Sequence, residues 1–455
     1  MNIQELSREE QVDQLYDRIH ALLDQGETRK AQIILQALLP ADQAEIFADL
    51  PDDEQWQVLE GLPVEGTADI LEKLADEEVA EIAQQLTPEQ LADILDEMEP
   101  DEAADLLGDL PSEEAREILT LMDTCDESSP LLLHPDETAG GLMTSEYLAL
   151  GQHIWAERAL EAIRQWDSEH EYFYYFVVDG GGKLLGIVSL LQLIKANPRD
   201  EVAAFMARSF VSAPVEADQE ECAHLMSHYD LTALPVVDAE ERLVGVITID
   251  DIVDVLEDEA TEDIQRLGGA APLEKPYLLT STWEVTRSRV GWLLLLFVSE
   301  MFTTNVLQHF EGTLQKMVVL SFFIPLLVGT GGNAGSQTTA TIIRALGVGE
   351  IEKKDMLRVL WHEMRVGLLM GVCIATVGFL RAWLFRSGDV SLGLTIGLAI
   401  GAIVLWSTSI GSLLPLFASL VGADPALVSG PLMSTLVDAT GLFIYLTVAQ
   451  WILGV

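Results

Sequence analysis

The chain has 455 residues, 74 of them acidic and 25 basic, for a net charge of −49. This length allows about three domains. From Glu284 onward acids and bases are equal in number, so the whole excess lies in residues 1–283. Such an acidic half excludes nucleic acid as a partner, because phosphates are held by Lys and Arg. It is compatible with cation binding, or with simply keeping a domain soluble. Cys125, Cys222 and Cys373 lie far apart without metal-ligand spacing, as expected in a reducing cytosol. The opening residues, with Glu5, Glu9 and Glu10, give no signal-peptide core.

Prolines recur at Pro40, Pro51, Pro63, Pro88, Pro100 and Pro111, with spacings of 11, 12, 25, 12 and 11, and Ala75 stands where the missing one would fall. Proline suits a helix start, and acids after it, as in Pro51-Asp52-Asp53-Glu54, complement the helix dipole. Each unit is therefore predicted to be a helix of two or three turns. Helices so short cannot bury an apolar face alone and must stack into a superhelix. The cluster Asp93, Asp96, Glu97 and Glu99 is read as a solvated face.

A second repeat follows. Val177-Val178-Asp179 returns 59 residues later as Val236-Val237-Asp238, in register with Leu184/Leu243 and Gly186/Gly245. Upstream, Gly141-Leu142-Met143-Thr144 is echoed by Ala204-Phe205-Met206-Ala207. Each copy reads as strand, turn, strand, helix. The pair resembles tandem CBS (cystathionine-β-synthase-type) domains, which are sensor modules. In nucleotide-binding CBS domains a Gly-x-x-Thr-x-x-Asp pattern holds ribose and phosphate. Here Gly245, Thr248 and Asp251 match it, while the first copy has Gly186, Ser189 and Gln192 and lacks the acid. A divalent ion is the other reading of this stretch. Asp251, Asp254 and Asp258 fall on one helix face, where like charges repel and a hard cation would relieve them.

After Asp263 a helix linking sensor to membrane is expected, up to Trp283. Five apolar spans follow, at about 289–307, 317–346, 365–386, 391–420 and 425–453, each long enough for a hydrocarbon core of about 30 Å. Arg287, Arg289, Arg344, Lys353, Lys354, Arg358 and Arg365 flank one side, against Lys316, Arg381 and Arg386 on the other. That bias places the N-terminal half in the cytosol and Val455 outside. In the second span, Pro325 is expected to kink the helix. The stretch Gly329-Thr330-Gly331-Gly332-Asn333-Ala334-Gly335 lets backbones or a ligand approach closely. Asn333 and Gln337 would share a helix face. Asp438 sits near the middle of the last span, with Ser434 and Thr435 one turn earlier as further oxygen ligands. A carboxylate there needs water, a partner or a cation, and no Lys or Arg within a span is an obvious partner. Glu300 in the first span is expected to face a vestibule. The eight histidines are scattered and no phosphate-binding loop precedes a helix, so no enzyme activity is expected.

With these parts in one order, the chain resembles the MgtE family of magnesium channels over essentially its whole length. The most specific stretches are Ala139-Gly140-Gly141-Leu142-Met143-Thr144, Glu259-Ala260-Thr261-Glu262-Asp263-Ile264, the Gly329–Gly335 run, and Asp424-Pro425-Ala426 through Asp438. The expected fold is an α-helical membrane protein with an α/β cytosolic part. It comprises an acidic helical-repeat domain at 1–130, the tandem CBS pair at 131–258, a connecting or plug helix at 259–283 and a five-helix pore domain at 284–455. The resemblance implies a homodimer in the cell (inner) membrane, with the pore on the two-fold axis. Asp438 and its symmetry mate would hold largely hydrated Mg²⁺, with Gly331, Gly332, Asn333, Gly335, Ser434 and Thr435 lining the same path. It also implies regulatory Mg²⁺ at Asp218, Glu220, Asp230, Asp251, Asp254, Glu259, Glu262 and Asp263, closing the pore when cytosolic Mg²⁺ is high. ATP would act as a modulator at the CBS pair. A Na⁺- or H⁺-coupled exchanger is the alternative reading, and a membrane-anchored nucleotide sensor a further one.

Overall fold

The computed structural model describes residues 7–124, 131–166, 173–273, 277, 280–385, 389–427 and 430–454. The chain divides into two compact units, Met1–Leu256 and Glu257–Val455.

The first unit opens with short helices α1 (Arg8–Asp24), α2 (Thr28–Leu35), α3 (Pro40–Ala48), α4 (Asp52–Leu59), α5 (Val64–Leu71), α6 (Asp76–Ala83), α7 (Pro88–Leu95), α8 (Pro100–Asp109) and α9 (Ser112–Leu119). Proline occupies the first turn of α3, α7 and α8 and the N-cap of α4, α5 and α9, while Ala75 caps α6. The missing proline therefore leaves the period intact. Stacking skips a helix: α3 packs on α5, α5 on α7 and α7 on α9, with α2 on α4 and α6 on α8 alongside. Their inner faces form one apolar core through Phe47, Ile70, Leu91, Leu95 and Leu107.

Carboxylates tie successive turns of the superhelix. The Glu72 side chain accepts the Glu99 amide at 2.8 Å. Asp96 accepts the amides of Asp123 and Thr124, each at 2.9 Å. Asp96 thus differs from the solvated reading of its cluster, because two unpaired amides at a chain turn need an acceptor. Its neighbours Asp93 and Glu97 are exposed.

The CBS pair contributes α10 (Ala139–Leu142), β1 (Ala149–Gly151), α11 (Ala156–Gln165), β2 (Tyr174–Val178), β3 (Leu184–Ser189), α12 (Leu190–Lys195), β4 (Ala213–Pro214), α13 (Gln219–Tyr229), β5 (Ala233–Val237), β6 (Leu243–Thr248) and α14 (Ile249–Leu267). Each sheet has three strands, in the orders β1-β2-β3 and β4-β5-β6. The first pair in each is parallel and the second antiparallel, with Val177 opposite Gly186 and Val236 opposite Gly245. The upstream echo has a packing reason. A side chain on Gly245 would strike Met143, and one on Gly186 would strike the Ala207 carbonyl and press on Met206. Thr144 bridges to Val246 and Ala207 to Ile187. Each Met segment thus covers a strand, and the segment preceding the first copy covers the second.

The connecting helix expected over 259–283 shares residues 259–267 with an observed helix, and residues 274–276, 278 and 279 lie outside the described residues. That observed helix is α14, which starts at Ile249 and stops at Leu267. Gly269 stops it in a left-handed conformation, φ 73°.

In the second unit the helices are α15 (Thr282–His309), α16 (Glu311–Lys316), α17 (Ile324–Gly347), α18 (Met356–Phe385), α19 (Val390–Leu420) and α20 (Gly430–Leu453). Among the described residues, five segments are long and apolar enough to cross a membrane: Thr282–His309, Val318–Gly347, Lys353–Phe385, Val390–Leu420 and Gly430–Leu453. The first and third extend further N-terminally than hydropathy placed them, because helices run through charged flanks such as Arg287 and Arg358. The last begins later, after a single 3₁₀ turn at Pro425–Leu427. Pro325 does not kink a helix. It lies in the first turn of α17, where the missing donor costs nothing. A 3₁₀ segment, Val318–Phe323, leads into it. There the buried Leu320 carbonyl accepts the Tyr445 hydroxyl at 2.9 Å, which satisfies non-helical backbone at membrane depth.

Candidate functional site

The glycine-rich stretch is continuous helix, and its glycines form a seam. A Cβ on Gly331 would lie 2.6 Å from Ile403 Cγ2 and 2.8 Å from Val437 Cγ1; on Gly335 it would lie 2.7 Å from Met433 Cε. On Gly332 it would meet Ser434 Oγ at 3.2 Å. Ser336 donates to the Gly430 carbonyl at 3.1 Å and lies 3.3 Å from Ser434 Oγ. These contacts run α17 and α20 antiparallel. Gly331, Gly332 and Gly335 are buried against α19 and α20, whereas Asn333, Gln337 and Thr341 are exposed at successive turns. The polar stripe and the packing seam are therefore different faces of one helix.

Asp438 stands on α20 one turn beyond Ser434 and is half-buried. Among the described residues its carboxylate has no hydrogen bond and no basic partner; Glu300 of α15 is its charged neighbour. The Ser434 hydroxyl is engaged with Ser336, and Thr435 donates to the Pro431 carbonyl at 3.0 Å. Thr435 opens on a groove of about 940 Å³ between α15 and α20, lined also by Phe302, Asn305, His309, Ala439 and Phe443. No hydrogen bond joins Asn333 or Gln337 to Asp438 among the described residues.

The acids singled out in the first unit are not gathered in one place. Asp218 caps α13, accepting the Glu220 amide at 2.9 Å. Asp230 ends the same helix at φ 52°, so about 18 Å separates them. Asp254 and Asp258 are exposed on α14. Asp251 is turned onto Thr248, accepting its hydroxyl at 2.6 Å and its amide at 3.1 Å. That pairing closes the first turn of α14 and joins the two residues of the nucleotide pattern, while Gly245 is covered by Met143. Among the described residues no three His, Cys, Asp or Glu side chains form a ready cage for a metal ion.

What periodicity missed lies beside Asp251. Asp101 is only 6 % exposed, and among the described residues its Oδ1 has no hydrogen-bond partner. Burial, then the neighbouring Asp251, Glu99 and Glu102, hold its carboxyl well above the usual range. Burial pushes Glu102 up to about 8, opposed by Lys73. It pushes Glu72 up to about 7, opposed by the Glu99 amide. Asp251 is raised in turn by burial, against its Thr248 hydrogen bond. Lys73 and these hydrogen bonds offset the repulsion only in part, and a proton or a cation is what relieves the remainder. Proline at the head of α8 marked the helix, but nothing in the local pattern marked Asp101 as inward-facing.

In the second unit, Arg266 near the end of α14 pairs with both Glu262 and Asp424, all three about one-third exposed. Asp424 also accepts the Ala426 amide at 2.7 Å, closing the turn before α20. Asp263 is raised by burial and then by Asp424. Glu259 is half-buried on the same helix.

Comparison with known proteins covers every part. The family model for the divalent cation transporter MgtE matches residues 324–448, that for the MgtE intracellular N domain matches 38–129, and that for the CBS domain matches 139–199 and 202–258. A magnesium transporter MgtE of Thermus thermophilus is 43% identical over 329 residues, 72% of each chain. One of Bacillus subtilis is 30% identical over 441 residues, 96% of this chain and 97% of the relative. A solved cytosolic domain of the Mg²⁺ channel MgtE in complex with ATP matches with TM-score 0.50 and 37% identity, covering 53% of this chain and 99% of that one.

Proposed function

From the premise that the chain belongs to the MgtE family of divalent-cation transporters, we propose that it is a Mg²⁺ channel closed by cytosolic Mg²⁺. The observation that carries the reading is Asp438: a half-buried acid on the last span, one turn from Ser434, with no basic partner among the described residues. A mobile cation is the group such a carboxylate lacks. Mg²⁺ sheds water reluctantly and binds through one or two carboxylates, so a single acid per chain suits a largely hydrated ion. No chemical step is needed, since about 4.6 kcal/mol drives two charges inward at 100 mV.

The chain works as a homodimer in the cell membrane, N-terminal half in the cytosol. The exposed polar stripe Asn333, Gln337 and Thr341 supports this, being costly against lipid and suited to a water-filled path between two copies. The apolar stripe Ile249, Val253, Leu256 and Ile264 along α14 supports pairing of that helix as well.

Closure draws on the buried Asp101 and the half-buried acids beside it. Asp101, Asp251, Glu102 and Glu72 repel when unneutralised, and an ion among them favours the compact arrangement. The effect is limited to the difference in Mg²⁺ affinity between the two states. ATP binding at Thr248 and Asp251 modulates this, in line with the relative solved with ATP. The test is Mg²⁺ uptake by proteoliposomes without any Na⁺ or proton gradient. Uptake that follows the membrane potential alone supports a channel; uptake that requires a Na⁺ or proton gradient would establish the exchanger instead.

A further inference from the structure

We infer that Arg266 is a tethered counter-ion that holds the end of α14 on the turn leading into the last span. It does so by pairing with Glu262 and Asp424, two carboxylates that otherwise face Asp263 as like charges. The inference rests on the gating reading above and names a part of its machinery.

The guanidinium bridges Glu262, one turn back on its own helix, and Asp424, 158 residues away. A planar fork suits two carboxylates where an ammonium would not. Asp424 is itself fixed: its other oxygen accepts the Ala426 amide at 2.7 Å within the turn Pro425–Leu427. Three further contacts bind the same region. The Ala271 amide donates to the Ser288 carbonyl at 3.0 Å, and the Leu273 amide to Gln265 Oε1 at 2.7 Å. A Cβ on Gly269 would meet Trp292 at 2.5 Å and Pro431 at 3.2 Å. Gly430 begins α20, and Asp438 follows two turns on the same helix. Arg266 is therefore a positioning residue, coupling the end of α14 to the start of the helix that bears the mid-span acid.

This arrangement has a consequence for Mg²⁺ sensing. Arg266 supplies docking that is independent of metal, so ions need neutralise only the carboxylates it leaves. Without it the docked state weakens at every Mg²⁺ concentration, and two more carboxylates become available to ions. Closure should then need more Mg²⁺ and depend on it more steeply.

The test uses the full chain in lipid nanodiscs. Amide hydrogen exchange is followed over residues 262–273 and 421–427 in EDTA, for the parent, Arg266→Lys, Arg266→Gln and the swap Arg266→Asp with Asp424→Arg. Exchange about tenfold faster in both segments of Arg266→Gln is expected, with Arg266→Lys intermediate and the swap closer to the parent. Parent-like protection in Arg266→Gln would overturn the inference. Mg²⁺ shut-off of uptake is measured on the same proteins, and its midpoint should rise about threefold or more in Arg266→Gln. Faster exchange with unchanged shut-off would retain the bridge and overturn the gating role assigned to it.

Discussion

At the scale of single residues, function and packing compete for the same few positions. The seam of α17 is closed to any side chain. A Cβ on Gly411 of α19 would meet the Gly335 carbonyl at 2.7 Å, so Gly411→Ala must push two helices apart. A cost of about 1–3 kcal/mol is expected from such overpacking. Gly329, one turn before the seam contacts, has open space around it. There alanine should be neutral, or stabilising by up to about 1 kcal/mol. Thermal unfolding of the two purified variants checks both. The acids of the first unit give a pH dependence of definite sign. Glu72 and Glu102 are raised by burial to about 7 and about 8. The folded state therefore binds protons that the unfolded chain releases between the ordinary carboxylate range and pH 8. Their destabilising effect is fully present above pH 8 and is relieved as pH falls toward 5. In EDTA the melting temperature of the full chain should rise by a few degrees from pH 8.5 to 6. At pH 8.5, added Mg²⁺ should raise it too. A melting temperature that falls over the same range would place these acids in solvent.

At the scale of elements, repeats and hydropathy made most of the fold legible. The proline period located the short helices, including the one that Ala75 begins. The echo of Val177-Val178-Asp179 located two sheets, though not their short first strands β1 and β4, whose two or three residues carry no alternation. Helix limits were less legible. Hydropathy stops at charged flanks, whereas α15 and α18 run through theirs. Helix α14 begins ten residues before the connecting helix was expected, because Thr248 and Asp251 close its first turn inside the CBS fold. The site divided in the same way. Asp438 stood out as an acid within an apolar run. Asp101 did not, since acids on a short helix are ordinarily solvated. The Asp424 partner of Arg266 lies 158 residues away, beyond any local pattern. Asp101→Asn tests the buried acid directly. It removes a charge without removing volume, so metal-free stability at pH 8.5 should rise while the further gain from Mg²⁺ shrinks. Calorimetry with and without EDTA reads both.

For the whole molecule, the uneven charge is the organising fact. The excess of 49 acids lies entirely before the spans, and the spans themselves are neutral. In the proposed function, an acidic half that reports metal and a half that passes it need only one continuous helix between them, and α14 is continuous from Ile249 to Leu267. Removing residues 1–248 leaves that helix whole. The truncated chain should take up Mg²⁺ and no longer shut off at high internal Mg²⁺; unchanged shut-off would move the gate out of the acidic half. The central claim is narrower: a carboxylate in the last span is tolerated because passing cations neutralise it. Mg²⁺ uptake by proteoliposomes carrying Asp438→Ala, at the parent's protein loading and membrane potential, tests it most directly. Abolished uptake in a variant that keeps the parent's elution and melting behaviour is expected; uptake at the parent's rate would contradict the claim.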